Sequence, residues 1–339
     1  MEEAVKEIIR LGHGSGGRLT NELIHKTIKK YLTNDILDKF LDSAVLVMPD
    51  SKVVFTTDSY TVKPLFFPGG DIGKLAINGT VNDLVMLGAV PLYLSLGLII
   101  EEGFLMGDFE KILQSIADAA RLCNVKIVTG DTKVVDKGKG DGIYINTSGV
   151  GHLINDFAVD IAGICPGDKV LVNGYIGDHG AAIICARGII EFESRVESDC
   201  AGLQSMVKEL LEAGVKIKFM RDPTRGGLAT VLTELGEHLP YSIVIEEEVI
   251  PVREEVKSIC EFIGFDPLYL ANEGKMVAVV AGSDTEKALE IMKRNPLGKE
   301  ARIIGQIEKG RERKVLMKTV IGATRIVEMM LEDQLPRIC

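Results

Sequence analysis

Residues 72–87 read IGKLAINGTVNDLVML, and this stretch decides how the first half of the chain folds. Leu75, Ala76, Ile77, Val81, Leu84, Val85, Met86 and Leu87 leave little polar face, so the spacing predicts a helix buried around most of its circumference. Asn78, Asn82 and Asp83 stand inside it. A buried carboxylate without a partner is costly, and near a helix C-terminus the macrodipole opposes a bare anion. Asp83 therefore requires a cation or several donors, and both metal binding and a hydrogen-bonded structural aspartate satisfy it. Gly88 and Pro91 are expected to close the helix.

Upstream, short strands are expected at residues 44–48 and 53–57 around the turn Pro49-Asp50-Ser51, with Asp42 before the first and Asp58 at the end of the second. Earlier still, Gly12-His13-Gly14-Ser15-Gly16-Gly17-Arg18 leads into a helical pattern. Amides at such a helix start can wrap anionic oxygens, because no Cβ at Gly14, Gly16 or Gly17 blocks close approach. A flexible connector fits the same residues. The segment lacks the Lys-Ser/Thr ending of a Walker loop and a preceding strand, which excludes that nucleotide fold. Downstream come a strand at 92–100, an amphipathic helix at 109–122 with Asp108 as N-cap, and a strand at 125–129 running into Gly130-Asp131-Thr132-Lys133. Asp42, Asp58, Asp83 and Asp131 thus sit at element ends in one domain. A magnesium nucleotide site needs such placement, since magnesium takes carboxylates, water and phosphate oxygens.

A strand at 143–152 closes the first domain, and alternating strands and helices from residue 169 predict an α/β sandwich in the second. Three loops there carry chemistry. His179, in Gly177-Asp178-His179-Gly180, is a substrate contact or a structural helix-start histidine. Arg221-Asp222-Pro223-Thr224-Arg225-Gly226-Gly227 joins two guanidinium groups, an acid and a glycine helix start, which suits anion and metal chemistry. Glu273, in Ala271-Asn272-Glu273-Gly274, is a general base or a turn residue.

The chain has 339 residues, 46% of them hydrophobic, and a net charge of −10, which argues for two domains and against nucleic-acid or anionic-membrane binding. There is no apolar run of about 18 residues and no signal-peptide pattern, so a cytoplasmic location is expected. The six cysteines form no Cys-x-x-Cys pair, which excludes a zinc or disulfide framework, and Cys123, Cys165, Cys185, Cys200 and Cys260 are expected as buried small hydrophobes. Cys339 differs, because it ends the chain after Pro336-Arg337-Ile338, where a peptide-like, mobile arm is expected.

These motifs together resemble the HypE family of hydrogenase maturation factors, within the aminoimidazole ribonucleotide synthetase (PurM-like) superfamily. The resemblance runs from Gly12 to Cys339 and includes Thr57-Asp58-Ser59, the Asn78 to Asp83 run, the three loops and the Pro-Arg-Ile-Cys end. It implies an α+β, two-domain PurM-like fold. An N-terminal domain at 1–153 has a dimer-forming sheet, a C-terminal α/β sandwich spans 154–330, and a flexible tail at 331–339 carries Cys339. It further implies a homodimer binding ATP and Mg2+, with Asp42, Asp58, Asp83 and Asp222 as metal and phosphate-side acids. Gly14, Gly16, Gly17, Asn78, Asp131, Thr132 and Arg225 would contact the nucleotide. Cys339, Lys133, Glu273 and His179 would carry catalysis, with Glu273 the first candidate base and His179 the second. The implied activity is ATP-dependent dehydration of a carbamoyl group, loaded on Cys339 by the carbamoyltransferase HypF, to a thiocyanate whose cyanide passes to the HypC-HypD complex. A selenophosphate synthetase shares the acid pattern, but that family generally has a cysteine or selenocysteine in its glycine-rich loop, where this chain has Ser15 and no cysteine before Cys123. A non-catalytic carrier of Cys339 would leave the acids and Lys133 without a role.

Overall fold

The structure is a computed structural model that describes residues 7–15, 18–39, 43–44, 46–188, 196–310, 314–330 and 337–339. Gly16, Gly17 and Asp42 lie outside the described residues. The first domain holds β1 (Val53–Tyr60), the small pair β2 (Phe66–Phe67) and β3 (Gly70–Asp71), then β4 (Ala89–Glu101), β5 (Lys126–Val135) and β6 (Ile143–Leu153). Its sheet runs β1-β6-β4-β5 among the described residues, with β4 and β5 parallel. Helices α1 (Arg18–Glu22) and α2 (Lys29–Tyr31) flank a π-helical turn, and α3 (Ile72–Met86) and α4 (Met106–Cys123) cover one sheet face.

The quoted stretch is the helix α3. Asp71 caps it, accepting from the amides of Gly73 at 2.7 Å and Lys74 at 3.1 Å, a device worth about 1 kcal/mol. Alternation in the strands decides which face it covers. Tyr60, Leu94, Leu96, Leu98 and Ile145 point inward and are buried, while Val53, Phe55 and Ile99 on the opposite face are 55%, 64% and 44% exposed. Gly79 is required by this packing, because a Cβ there would lie 2.4 Å from the Tyr60 hydroxyl, which bonds Thr80 at 3.1 Å.

Several boundaries differ from expectation. Residues 44 and 46–48 form no strand, and β1 leaves that edge of the sheet unpaired among the described residues. Pro91 lies inside β4, at a register shift that removes the need for its missing amide. Helix α4 starts at Met106 with Leu105 as N-cap, so Asp108 sits in the first turn rather than at the cap. Asp131, Thr132 and Lys133 lie within β5, not beyond its end.

The second domain contains β7 (Lys169–Val172), β8 (Ile217–Arg221), β9 (Ser242–Glu246), β10 (Val277–Val280), β11 (Arg302–Glu308), β12 (Val315–Lys318) and β13 (Thr324–Val327). They form one sheet, ordered β13-β12-β9-β11-β7-β10-β8. Helices α5 (Asp178–Ala186), α6 (Gln204–Glu212), α7 (Gly227–Glu237), α8 (Glu254–Ile263) and α9 (Thr285–Arg294) surround it. Strand β10, between β7 and β8, is buried throughout. Val277 and Val279 join the core under α7, whereas Ala278 and Val280 join the core under α6 and α9. Val85 and Met86 of α3 enter that second core, so the two domains share packed interior. Cys165 departs from the expected burial: it is exposed, 3.5 Å from the Lys218 ammonium, in the crossing between domains. No helix among the described residues is long and apolar enough to cross a membrane.

Candidate active site

A cavity of about 670 Å³ opens where the two domains meet. The first domain contributes Asp58 from β1 and Asp83 from α3. The second contributes Asp222 and Arg225 from the loop between β8 and α7, and Glu273 from the loop before β10. Cys339 closes it.

The acids are crowded, and their protonation reflects it. Burial raises the Asp83 carboxyl above its ordinary range, opposed by the Thr56 hydroxyl that donates to it at 2.9 Å. Burial, then the Asp83 charge, pushes Asp222 up to about 7. Glu273 is 2% exposed and is raised well above the usual glutamate range, first by burial and then by Asp222, Asp199, Asp58 and Asp83. Its Oε1 has no hydrogen-bond partner. A cluster of carboxylates held this way favours a proton or a cation. Among the described residues, no three His, Cys, Asp or Glu side chains are gathered closely enough to hold a metal ion by themselves. Arg221 is engaged elsewhere, by Glu234 on the cavity wall.

The end of the chain is docked, where a free peptide was expected. Beyond β1, the amides of Thr61 and Lys63 donate to the carbonyls of Cys339 at 3.3 Å and Arg337 at 3.0 Å, and Arg337 Nε returns a bond to Thr61 O at 2.9 Å. Arg187 Nη2 donates to the Arg337 carbonyl at 3.0 Å, and Arg337 pairs with Asp141. Ile338 is 6% exposed, buried in the first-domain core, and that burial is the physical reason the end does not swing free here. Arg225 Nη2 donates to Cys339 Sγ at 3.4 Å. Burial, with the Glu273 charge, pushes the Cys339 thiol up to about 12 against the pull of Arg225.

His179 anchors the docked tail in this seat. The Ile338 carbonyl can only accept, so His179 Nε2 carries the hydrogen and donates to it at 2.8 Å. Nδ1 then accepts from the Ser198 hydroxyl at 2.8 Å. Both ring nitrogens are occupied, and burial lowers the imidazole's pKa.

Other expected contacts lie apart from the cavity. Asn78 is enclosed, accepting from Cys123 Sγ at 3.3 Å and donating to Cys200 Sγ at 3.5 Å beside a second cavity of about 520 Å³. It does not reach the carboxylates. Lys133 pairs with Asp131 at 3.2 Å, and both are largely exposed. Asp58 aligns through Thr147 and Leu96 with Gly130, so the Asp131 to Lys133 run lies three strands away, about 14 Å at ordinary strand spacing. Gly14 packs beside it, since a Cβ on Gly14 would lie 2.3 Å from the Val134 amide. Thr132 and Asp131 line a separate cavity of about 310 Å³.

Residues to which the sequence assigned no role also organise the site. Asn82 binds the carbonyls of Ala201 at 3.0 Å and Glu273 at 3.3 Å across the domain boundary. A polar residue in an apolar helix was its signal. Asp199, Ser198, Arg187 and Asp141 gave none.

Residues 41–153 match the family model for the N-terminal domain of AIR synthase related proteins, and residues 165–318 match that for the C-terminal domain. The chain is 46% identical over 332 residues to the carbamoyl dehydratase HypE of Cupriavidus necator, covering 98% of this chain and 95% of that protein. The fold is similar to a crystal structure of the hydrogenase maturation protein HypE in complex with ATP, at 43% identity and a TM-score of 0.93, covering 97% of this chain and 99% of that one. It is also similar to a chain from a HypE-HypF complex, at 49% identity and a TM-score of 0.79, covering 91% and 99%.

Proposed function

The chain belongs to the HypE family of AIR synthase related proteins, and from that premise we propose that it is an ATP-dependent carbamoyl dehydratase acting on its own Cys339. The observation that carries this reading is the enclosure of Cys339 in one cavity with Glu273. A carrier that only presented a thiol to partners would gain nothing from burying it beside a carboxylate of raised proton affinity. The state of that thiol fits a loaded substrate better than a nucleophile. Pushed up to about 12, it is protonated in its seat and unreactive, whereas a carbamoylated sulfur has no proton to lose. Loading then belongs to an undocked tail and to the carbamoyltransferase HypF, and the solved HypE-HypF complex of a relative supports that partner. Transfer of the cyanide to a HypC-HypD complex completes the proposed route.

The chemistry balances. The carboxamide oxygen on Cys339 attacks the γ-phosphorus of ATP, forming an O–P bond as ADP departs. One N–H proton passes to Glu273, the C–O bond breaks with phosphate as leaving group, and the second N–H proton leaves with it. The products are a thiocyanate, ADP and phosphate. Glu273 suits the base role because burial and the neighbouring acids raise its proton affinity, and its Oε1 has no hydrogen-bond partner of its own. Arg225, already on the sulfur, would orient the carbamoyl group, and the tether supplies a high effective concentration of substrate.

Asp58, Asp83 and Asp222 fit a magnesium ion in chemistry, as hard oxygen donors whose mutual repulsion a cation would relieve. They would hold it together with phosphate oxygens and water, and Asp42 is proposed to join them. When bound, magnesium would offset charge on the transferring phosphoryl group. Gly14, Gly16, Gly17, Asp131, Thr132 and Lys133 are proposed to serve the nucleotide across a homodimer in which the exposed Val53 and Phe55 face pairs with a second copy. ATP hydrolysis measured with the tail carbamoylated and uncarbamoylated tests the proposal. Turnover that depends on the carbamoyl group is expected, and equal turnover in both would overturn it.

A further inference from the structure

Residues 196–200 cross between the two domains without regular structure, and they touch both halves of the proposed chemistry. On the first-domain side, the Ser198 amide donates to the Pro68 carbonyl at 2.8 Å. On the second-domain side, Asp199 receives the loop that carries the base. Its Oδ1 accepts from the Glu273 amide at 3.1 Å, its Oδ2 from the Gly274 amide at 3.2 Å, and Lys275 Nζ lies 3.0 Å from Oδ2. The two segments interlock, since a Cβ on Gly274 would fall 2.0 Å from the Asp199 carbonyl oxygen. The neighbouring Ser198 hydroxyl accepts from the Cys200 amide at 3.1 Å and donates to His179, which holds the Ile338 carbonyl.

We infer that Ser198 and Asp199 are positioning residues that register the tail against the base: Ser198 acts through His179 on Ile338, and Asp199 acts through two amides on Glu273. This rests on the function proposed above. The loop that carries the base and, through His179, the residue before the thiol are held by adjacent members of a single dipeptide, so each half of the site keeps its place by one of them. A misplacement of about 1 Å between reacting groups costs about 100-fold in rate. Fold stability alone does not call for Asp199, because a buried ion pair such as Asp199 with Lys275 is replaceable by apolar residues with little loss. The Asp199 charge also adds to those that oppose ionisation of Glu273, an effect an apolar residue would not have. What it supplies that an apolar residue cannot is two acceptors aimed at consecutive amides of the catalytic loop.

Two readouts on the full-length protein separate the two ends. In Ser198→Ala, alkylation of Cys339 by a maleimide, followed by peptide mapping, is expected to speed up about fivefold, the effect of one lost neutral hydrogen bond. In Asp199→Asn combined with Lys275→Met, which leaves no unpaired buried charge if Asp199→Asn alone fails to fold, alkylation is expected to match wild type. The KM for ATP should also be unchanged, while kcat for dehydration of the carbamoylated tail falls about 100-fold. Wild-type alkylation in Ser198→Ala would overturn the tail half of the inference. A kcat within about threefold of wild type in the folded double variant, or a rise in the KM for ATP that matches the loss of kcat, would overturn the base half. If wild type itself dehydrates nothing, the function proposed above fails and the base half falls with it, while the alkylation comparison still decides the tail half.

Discussion

The cavity between the domains and the outer face of the first sheet both hold residues that the sequence marks for the site, and they are built in opposite ways. Around the cavity, Asp83, Asp222 and Glu273 are drawn from distant elements into surroundings that raise their proton affinity, and Cys339 is locked beside them. On the sheet face, Asp131 and Lys133 lie exposed on one strand and satisfy each other. The first region is complete within one chain as a place for acid–base work. The second is a charged, partly apolar surface that acquires a role only when something covers it. The phosphate role proposed for Lys133 therefore requires a second copy or a rearrangement, because in one chain the residue lies three strands from the cavity.

The largest expected effect breaks the cavity outright. Cys339→Ala should lose all tail modification yet bind ATP as wild type does, checked by nucleotide titration and by mass spectrometry of the terminal peptide. Glu273→Gln should come next, with a fall of about 100- to 10,000-fold in dehydration and normal acceptance of the carbamoyl group, because that transfer belongs to the partner. Asp83→Asn should lower magnesium-dependent ATP turnover about 100-fold, with an unchanged circular-dichroism spectrum and a weaker magnesium requirement curve. Unchanged turnover and magnesium dependence would remove Asp83 from the ligand set.

Lys133 sharpens the comparison. Lys133→Ala should reduce turnover, and mixing it with Glu273→Gln protein should restore part of the activity if Lys133 acts on the partner's cavity, because one site of each mixed dimer is then intact. No recovery, with subunit exchange verified, would place Lys133 in its own chain's cavity after a rearrangement. The smallest effect is on stability. Since the folded Asp222 carboxyl is raised to about 7, its contribution is fully present below the ordinary aspartate value of about 4 and is lost as pH rises through about 7. Without divalent ions, melting temperature should fall across that window. Asp222→Asn should flatten the slope, and magnesium should raise the melting temperature more at the high end than at the low end.

Much of this was legible in the sequence, for reasons that differ by residue. The helix at 72–87 was plain because an apolar pattern on every face has one stable solution, and Asp58, Asp83, Asp222 and Glu273 stood out as acids against apolar runs. The position of Lys133 was not legible, because a motif on a strand does not reveal which sheet face it occupies or that β5 continues through it. Docking of the tail was hidden for a different reason. It depends on partners such as Thr61 and His179, which lie 278 and 159 residues from the groups they bind, and no local pattern encodes such pairing. Asp199 was invisible because it sits in an irregular segment, where a carboxylate reads as a surface residue. His179 was seen with a structural and a chemical reading both open, and the hydrogen bonds on both ring nitrogens, which only the structure shows, favour the structural one.

Mass spectrometry of the intact chain, after incubation with HypF, its substrates and ATP, tests the central claim most directly. Wild type should gain one carbamoyl group on the peptide ending in Cys339 and then lose the elements of water in an ATP-dependent step, while Glu273→Gln should stop at the carbamoylated form. Dehydration that proceeds as efficiently in Glu273→Gln, or a modified chain that persists in Cys339→Ala, would contradict it.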